Sequence, residues 1–149
     1  MFISLALLLA SSTWFIVRAY ADAPEVVLVI GEPYEKMRKQ SSAKIAAAIP
    51  DEIWYNQIDE PAAILRFNDP QFGFITPPAK FLTVSYSRGK IATVRMSPQI
   101  DTLNLDEALK VVLNLQEQLQ RRGWFLVRID HPAYRDTPEI RLDIRDGKA

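Results

Sequence analysis

The sequence predicts an α+β domain: an antiparallel sheet with two amphipathic helices packed on one face, preceded by an N-terminal hydrophobic export segment. Three observations predict it. Thr102–Trp124 is a stretch whose apolar period, start signal and stop signal all specify a helix. Several short β-prone runs elsewhere are divided by Pro, Gly, Asn and Asp, and a charge-free apolar run opens the chain. At 149 residues, 48% of them hydrophobic, there is room for one domain with a real core.

Residues 1–21 are a different material from the rest. Phe2–Val17 carries no charge and is followed by Arg18 and the small-residue pattern Ala19-Tyr20-Ala21, which reads as a secretory signal with its cleavage site before Asp22. The run is marginal for spanning about 30 Å of hydrocarbon. No Lys or Arg precedes it, so an uncleaved anchor and a buried N-terminal helix stay open as alternatives. Export to the periplasm is the expected localisation, with attachment to the inner membrane through residues 2–17 if the segment is retained.

Residues 22–32 form a linker or a first strand, in which Val26–Ile30 is apolar and Gly31 and Pro33 close the run. Tyr34–Ile49 has apolar or small residues at Tyr34, Met37, Ser41, Ile45 and Ala48, the spacing of an amphipathic helix that Pro33 starts and Pro50 stops. Ile53–Ile58 and Ala62–Phe67 are short strands. The Pro-rich segment after them holds Phe72, Phe74 and Phe81, and the expectation is a covering loop whose rings close the core.

Phe81–Met96 is a hairpin. A bulged three-residue loop, Ser87-Arg88-Gly89, would set Leu82 opposite Val94 and Val84 opposite Ala92, giving one apolar face. In the helix over 102–124, Asn104 and Glu107 form a capping box, Leu105, Ala108, Leu109, Val112, Leu115 and Leu119 share one face, and Gly123 suits the left-handed stop. The helix should lie across the sheet. Trp124–Ile129 and the strictly alternating Ile140–Arg145 are the last two strands, joined by the loop Asp130–Pro138. Residues 33–146 thus make a single domain, with 147–149 a tail.

The chemistry is mostly negative. Lys plus Arg and Asp plus Glu are 18 each, so nucleic acid is not an expected partner. There is no Cys, one His and five Gly, which excludes thiol catalysis, disulfides and His/Cys metal clusters. No phosphate-binding or nucleophile motif is present, so no catalytic residue, metal or cofactor is expected. His131 beside Asp130 can be imagined as an acid/base pair, but a lone His before a Pro is more often an exposed turn residue.

Binding to a protein partner is what remains. The loop carries His131, Tyr134, Arg135 and Asp136, with Tyr and Arg favoured at interface hot spots. Trp54, Tyr55 and Asn56 form a second candidate surface.

The run SPQIDTLNLDEALKVVLNLQEQLQRRGWF, taken with an export segment and the lack of Cys, resembles periplasmic immunity proteins encoded beside secreted antibacterial effectors of type VI systems. The resemblance implies a non-catalytic inhibitor that protects the cell envelope from a toxic effector. It carries over no individual functional residue. The competing expectation is a membrane-anchored structural or accessory protein of an envelope assembly.

Overall fold

The computed structural model describes residues 22–125 and 133–147. Outside them lie residues 1–21, where an export segment is expected, His131, most of the strand expected over 124–129 and the last two residues. The described part is α+β, with six strands and three helices, and none of these helices is long and apolar enough to cross a membrane.

The strands are β1 (Glu25–Leu28), β2 (Ile53–Gln57), β3 (Ile64–Phe67), β4 (Phe74–Ile75), β5 (Phe81–Ser87) and β6 (Lys90–Ser97). The helices are α1 (Tyr34–Gln40), α2 (Leu105–Arg121) and α3 (Pro138–Arg145). They do not build a single antiparallel sheet. One sheet has the order β1-β3-β4, with β1 and β3 parallel from Glu25↔Ile64 to Leu28↔Phe67; the other is antiparallel, β2-β5-β6. The core combines Val26 and Leu28 of β1, Leu65 and Phe67 of β3, Leu82, Val84 and Tyr86 of β5, and Tyr34 and Met37 of α1.

α1 stops at Gln40, short of the expected Ile49. The cause is the pair Ser41-Ser42, whose hydroxyls accept the N–H groups of Val27 (2.9 Å) and Glu25 (2.8 Å), while the Gln40 amide donates to the Val27 carbonyl (2.9 Å). These side chains satisfy the open side of β1, and Ser41 is extended at φ −84°, ψ 144°.

The hairpin meets the apolar requirement by another device. Its loop is the two-residue Arg88-Gly89, both left-handed at φ 51° and 70°, with Ser87 paired to Lys90. A bulge at Ala92 then shifts the register, so Leu82 faces Met96 and Val84 faces Val94. The expected partners Val94 for Leu82 and Ala92 for Val84 are displaced by that bulge, yet apolar still faces apolar.

α2 begins as the sequence requires. Asn104 Oδ1 accepts from the Glu107 N–H (3.0 Å), Glu107 Oε2 accepts from the Asn104 N–H (3.2 Å), and Gly123 follows the helix at φ 85°. It does not lie across a sheet with its apolar stripe sealed, because Leu109 is its one fully buried side chain. It is held instead by polar and aromatic contacts to the edge of β4. Gln118 accepts from the Ile75 N–H (3.1 Å) and donates to the Ile75 carbonyl (3.0 Å), so a side-chain amide takes the place of a neighbouring strand. Trp124, just past the helix, sets its ring edge-on to Phe67, Phe72 and Phe74 and donates from Nε1 to the Phe72 carbonyl (2.8 Å). Phe72 and Phe74 therefore do pack against the core, as a covering loop should, whereas the expected third ring, Phe81, opens β5 and is exposed.

The alternating segment Ile140–Arg145 is helix, not strand. Thr137 accepts from the Ile140 N–H (3.3 Å) as the cap, Pro138 takes the first helical position and Glu139 the first turn. In a helix Ile140 and Ile144 share a face while Leu142 turns away, and Leu142 is 47% exposed.

Candidate functional site

Two surfaces answer to the expected binding residues, and they differ in how their side chains are committed. In the loop before α3, Tyr134 and Arg135 are exposed, and the Tyr134 carbonyl accepts from Gln116 of α2 (3.0 Å). Asp136 is not free: it takes a bidentate hydrogen bond from Arg141, which also reaches Asp106 of α2. That hydrogen bond holds the Asp136 carboxyl below the usual carboxylate range, and the two aspartates keep Arg141 firmly protonated. Arg141 is thus the clamp that ties α3 to α2. His131 lies outside the described residues, so only Tyr134 and Arg135 stand there as uncommitted, described candidates.

The second surface is β2. Its inner side is fixed by a buried tyrosine pair: Tyr34 and Tyr86 have ring centroids 4.6 Å apart. Asn56 donates from Nδ2 to the Tyr34 hydroxyl (2.5 Å), Tyr34 donates to the Ala46 carbonyl (3.1 Å), and Tyr86 accepts from the Ile49 N–H (2.8 Å). Burial pushes the Tyr34 phenol above its ordinary value of 10, and the Asn56 hydrogen bond pulls part of the way back. Asn56, which sequence reasoning placed with the exposed aromatics, is therefore the strand's anchor.

The rest of β2 is open. Ile53 is 75% exposed, Tyr55 57% and Trp54 48%, and the Trp54 and Tyr55 rings stack with centroids 5.7 Å apart. Ile53 belongs to this patch although sequence reasoning passed it over as an ordinary strand residue. Sequence reasoning also missed a groove of about 440 Å³ between the β3–β4 turn and the end of α2, lined by Arg66, Asp69, Phe74, Gln118, Arg121 and Arg122. Two of its cations are already paired, Arg66 with Glu25 (2.7 Å) and Arg121 with Glu117.

Among the described residues no group of three His, Cys, Asp or Glu side chains could hold a metal ion. The geometry offers contact area: an anchored strand with aromatic side chains outward, and a helix-braced loop with an exposed Tyr and Arg. Comparison with protein-family models, with curated proteins and with solved structures finds no match.

Proposed function

We propose that this chain is a non-catalytic, exported binding protein, an immunity protein that inhibits a toxic secreted effector in the cell envelope. The observation that carries the binding reading is the exposure of Ile53, Trp54 and Tyr55 on a strand whose inner side is locked by Asn56 and Tyr34. Large apolar side chains exposed together on a rigid element supply contact area at little cost in ordering. Tyr134 and Arg135 add two residue types favoured at interface hot spots, on a loop that Gln116 and Arg141 brace. Export rests on the apolar run Phe2–Val17 and the Ala19-Tyr20-Ala21 pattern, and the effector as partner rests on the resemblance of the helix-to-strand segment.

The test is purification of the tagged full chain from its host in high salt, followed by co-expression in the envelope with any secreted hydrolase that co-purifies. Relief of toxicity with one stoichiometric hydrolase co-purifying supports the reading. Recovery of envelope assembly components without relief of toxicity would move the function to the accessory protein.

A further inference from the structure

Among the described residues four strand edges flank the two sheets, and three are blunted. The open side of β1 is taken by Gln40, Ser41 and Ser42. The edge of β4 is capped by Gln118. The start of β6 is covered by the segment after β1, with Gly31 N–H donating to the Ile91 carbonyl (2.8 Å) and Ile91 N–H to the Glu32 carbonyl (2.9 Å), and the strand carries a bulge at Ala92 and an exposed Arg95. Covering segments, bulges and edge cations are the ordinary ways of stopping a strand from recruiting another.

β2 has none of them. It pairs with β5 from Ile53↔Ser87 to Gln57↔Thr83 without a bulge, and it contains no Lys, Arg or Pro. Ile58 N–H donates to the Leu82 carbonyl (2.8 Å), and by the antiparallel alternation Trp54 and Asn56 also turn their backbone groups towards β5. Ile53, Tyr55 and Gln57 therefore turn theirs outward, where no partner meets them among the described residues.

The charge on the two flanks of β2 itself is one-sided, and the cations nearest in register, Arg88 and Lys80, flank β5 on the paired side. Asp51 and Glu52 precede the strand and Asp59 follows it, all three exposed, and none forms an ion pair among the described residues. No basic residue occurs between Lys44 and Arg66. A second copy of the chain does not fit: antiparallel self-pairing centred on Tyr55 would set Asp51 opposite Asp59 of that copy.

We propose that the free edge of β2 is a strand-addition site for an extended segment of another protein, apolar or aromatic in its middle and carrying Lys or Arg at both ends. Backbone hydrogen bonds to Ile53, Tyr55 and Gln57 supply the register, Trp54 and Tyr55 supply apolar contact, and the carboxylates at the two ends select basic flanks. The two basic ends stand about eight residues apart, the span from Asp51 to Asp59 at roughly 3.3 Å per residue. This rests on the binding reading above and gives it a surface and a partner chemistry.

The probe is a pair of synthetic peptides with the same Val-Thr-Val-Thr-Val centre, one flanked by Lys pairs and the other by Glu pairs, titrated onto the full chain. The Lys-flanked peptide should bind at least tenfold more tightly at low salt, with the difference shrinking as salt is raised, and should slow amide exchange at Ile53, Tyr55 and Gln57. Tyr55→Pro removes one outward N–H and should abolish that binding. Tyr55→Lys, a gentler change, should weaken it at least tenfold while leaving the thermal unfolding of the chain in place. Equal binding of the two peptides, binding of neither, protection elsewhere, or a dimer formed through β2 would overturn the proposal. An effector that binds the wild-type chain and Tyr55→Lys equally well would overturn the strand-addition site alone and leave the inhibitor reading standing.

Discussion

Replacing Tyr34 by Phe removes one oxygen from the interior and leaves the ring, and that oxygen joins three segments. Its hydroxyl donates to Ala46 in the coil after α1 and accepts from Asn56 of β2, while its ring lies against Tyr86 of β5. The ring contact survives the substitution, so no cavity is made. The loss is two hydrogen bonds at about 0.5–1.5 kcal/mol each, a total of about 1–3 kcal/mol. For a chain of this length that corresponds to a fall in Tm of about 3–9 °C. Urea unfolding of wild type, Tyr34→Phe, Asn56→Ala and the double variant gives the cycle. Asn56→Ala should cost less in the Tyr34→Phe background than in wild type.

Alkaline pH supplies an independent check. The unfolded chain releases the Tyr34 proton near pH 10, whereas burial makes the folded chain hold it to higher pH. The unfolded state then carries fewer protons, so the stability contributed by Tyr34 is complete below pH 10 and declines as pH rises through the folded value. Wild type should lose stability above pH 10 faster than Tyr34→Phe, and subtracting the two curves cancels the tyrosines that do not touch Tyr34, leaving Tyr34 with its neighbour Tyr86. A variant within about 0.5 kcal/mol of wild type at pH 7, or parallel alkaline curves, would refute the account of Tyr34 as the anchor of β2.

Gly73→Ala should destabilise the chain by about 1–3 kcal/mol in the same urea assay, because a Cβ there would sit 2.6 Å from the Asp69 carbonyl oxygen and 3.0 Å from that of Phe67. Arg88→Asn should stabilise it by about 0.5–1 kcal/mol, since Arg88 holds a left-handed φ of 51° that Asn adopts more readily before Gly89; no gain would contradict the two-residue turn. Raising salt should speed amide exchange over 140–145, which the exposed pairs of Arg141 with Asp106 and Asp136 hold in place. The Asp136 carboxyl lies below its usual value, so that tie is intact at neutral pH and weakens as pH falls through the acid range.

What could be read from the sequence depended on whether a signal was local. The cap at Asn104, the stop at Gly123 and the strands at Ile53 and Ile64 are local and are found where the residues place them. The β1–β3 pairing joins Glu25 to Ile64 across a helix and a strand, and no periodicity reports such a partner. Ile140–Arg145 misleads because six residues hold both a period of two and an i, i+4 pair. The deciding signal, Thr137-Pro138-Glu139, sits before the pattern rather than in it. Trp54 and Tyr55 were legible as a surface because aromatics flanked by acids fit a core poorly. The opposite commitments of Asn56 and Tyr55 were not, because they depend on how β2 lies against Tyr34.

The two halves of the described chain are held by different forces, and this bears on where a partner can act. The sheets and α1 share a dry core in which Val26, Leu28, Tyr34, Met37, Val84 and Tyr86 are fully buried. α2 is tied to it by the Gln118 amide and the Trp124 ring, and α3 is tied to α2 by the Arg141 ion pair to Asp106, a contact that salt weakens. A surface built on α3 and the loop before it rests on exposed ion pairs, so salt loosens its bracing more than that of the sheets. The edge of β2 belongs to the rigid half, so a strand that docks there meets backbone groups already in register, and the affinity it gains is not spent on folding the site.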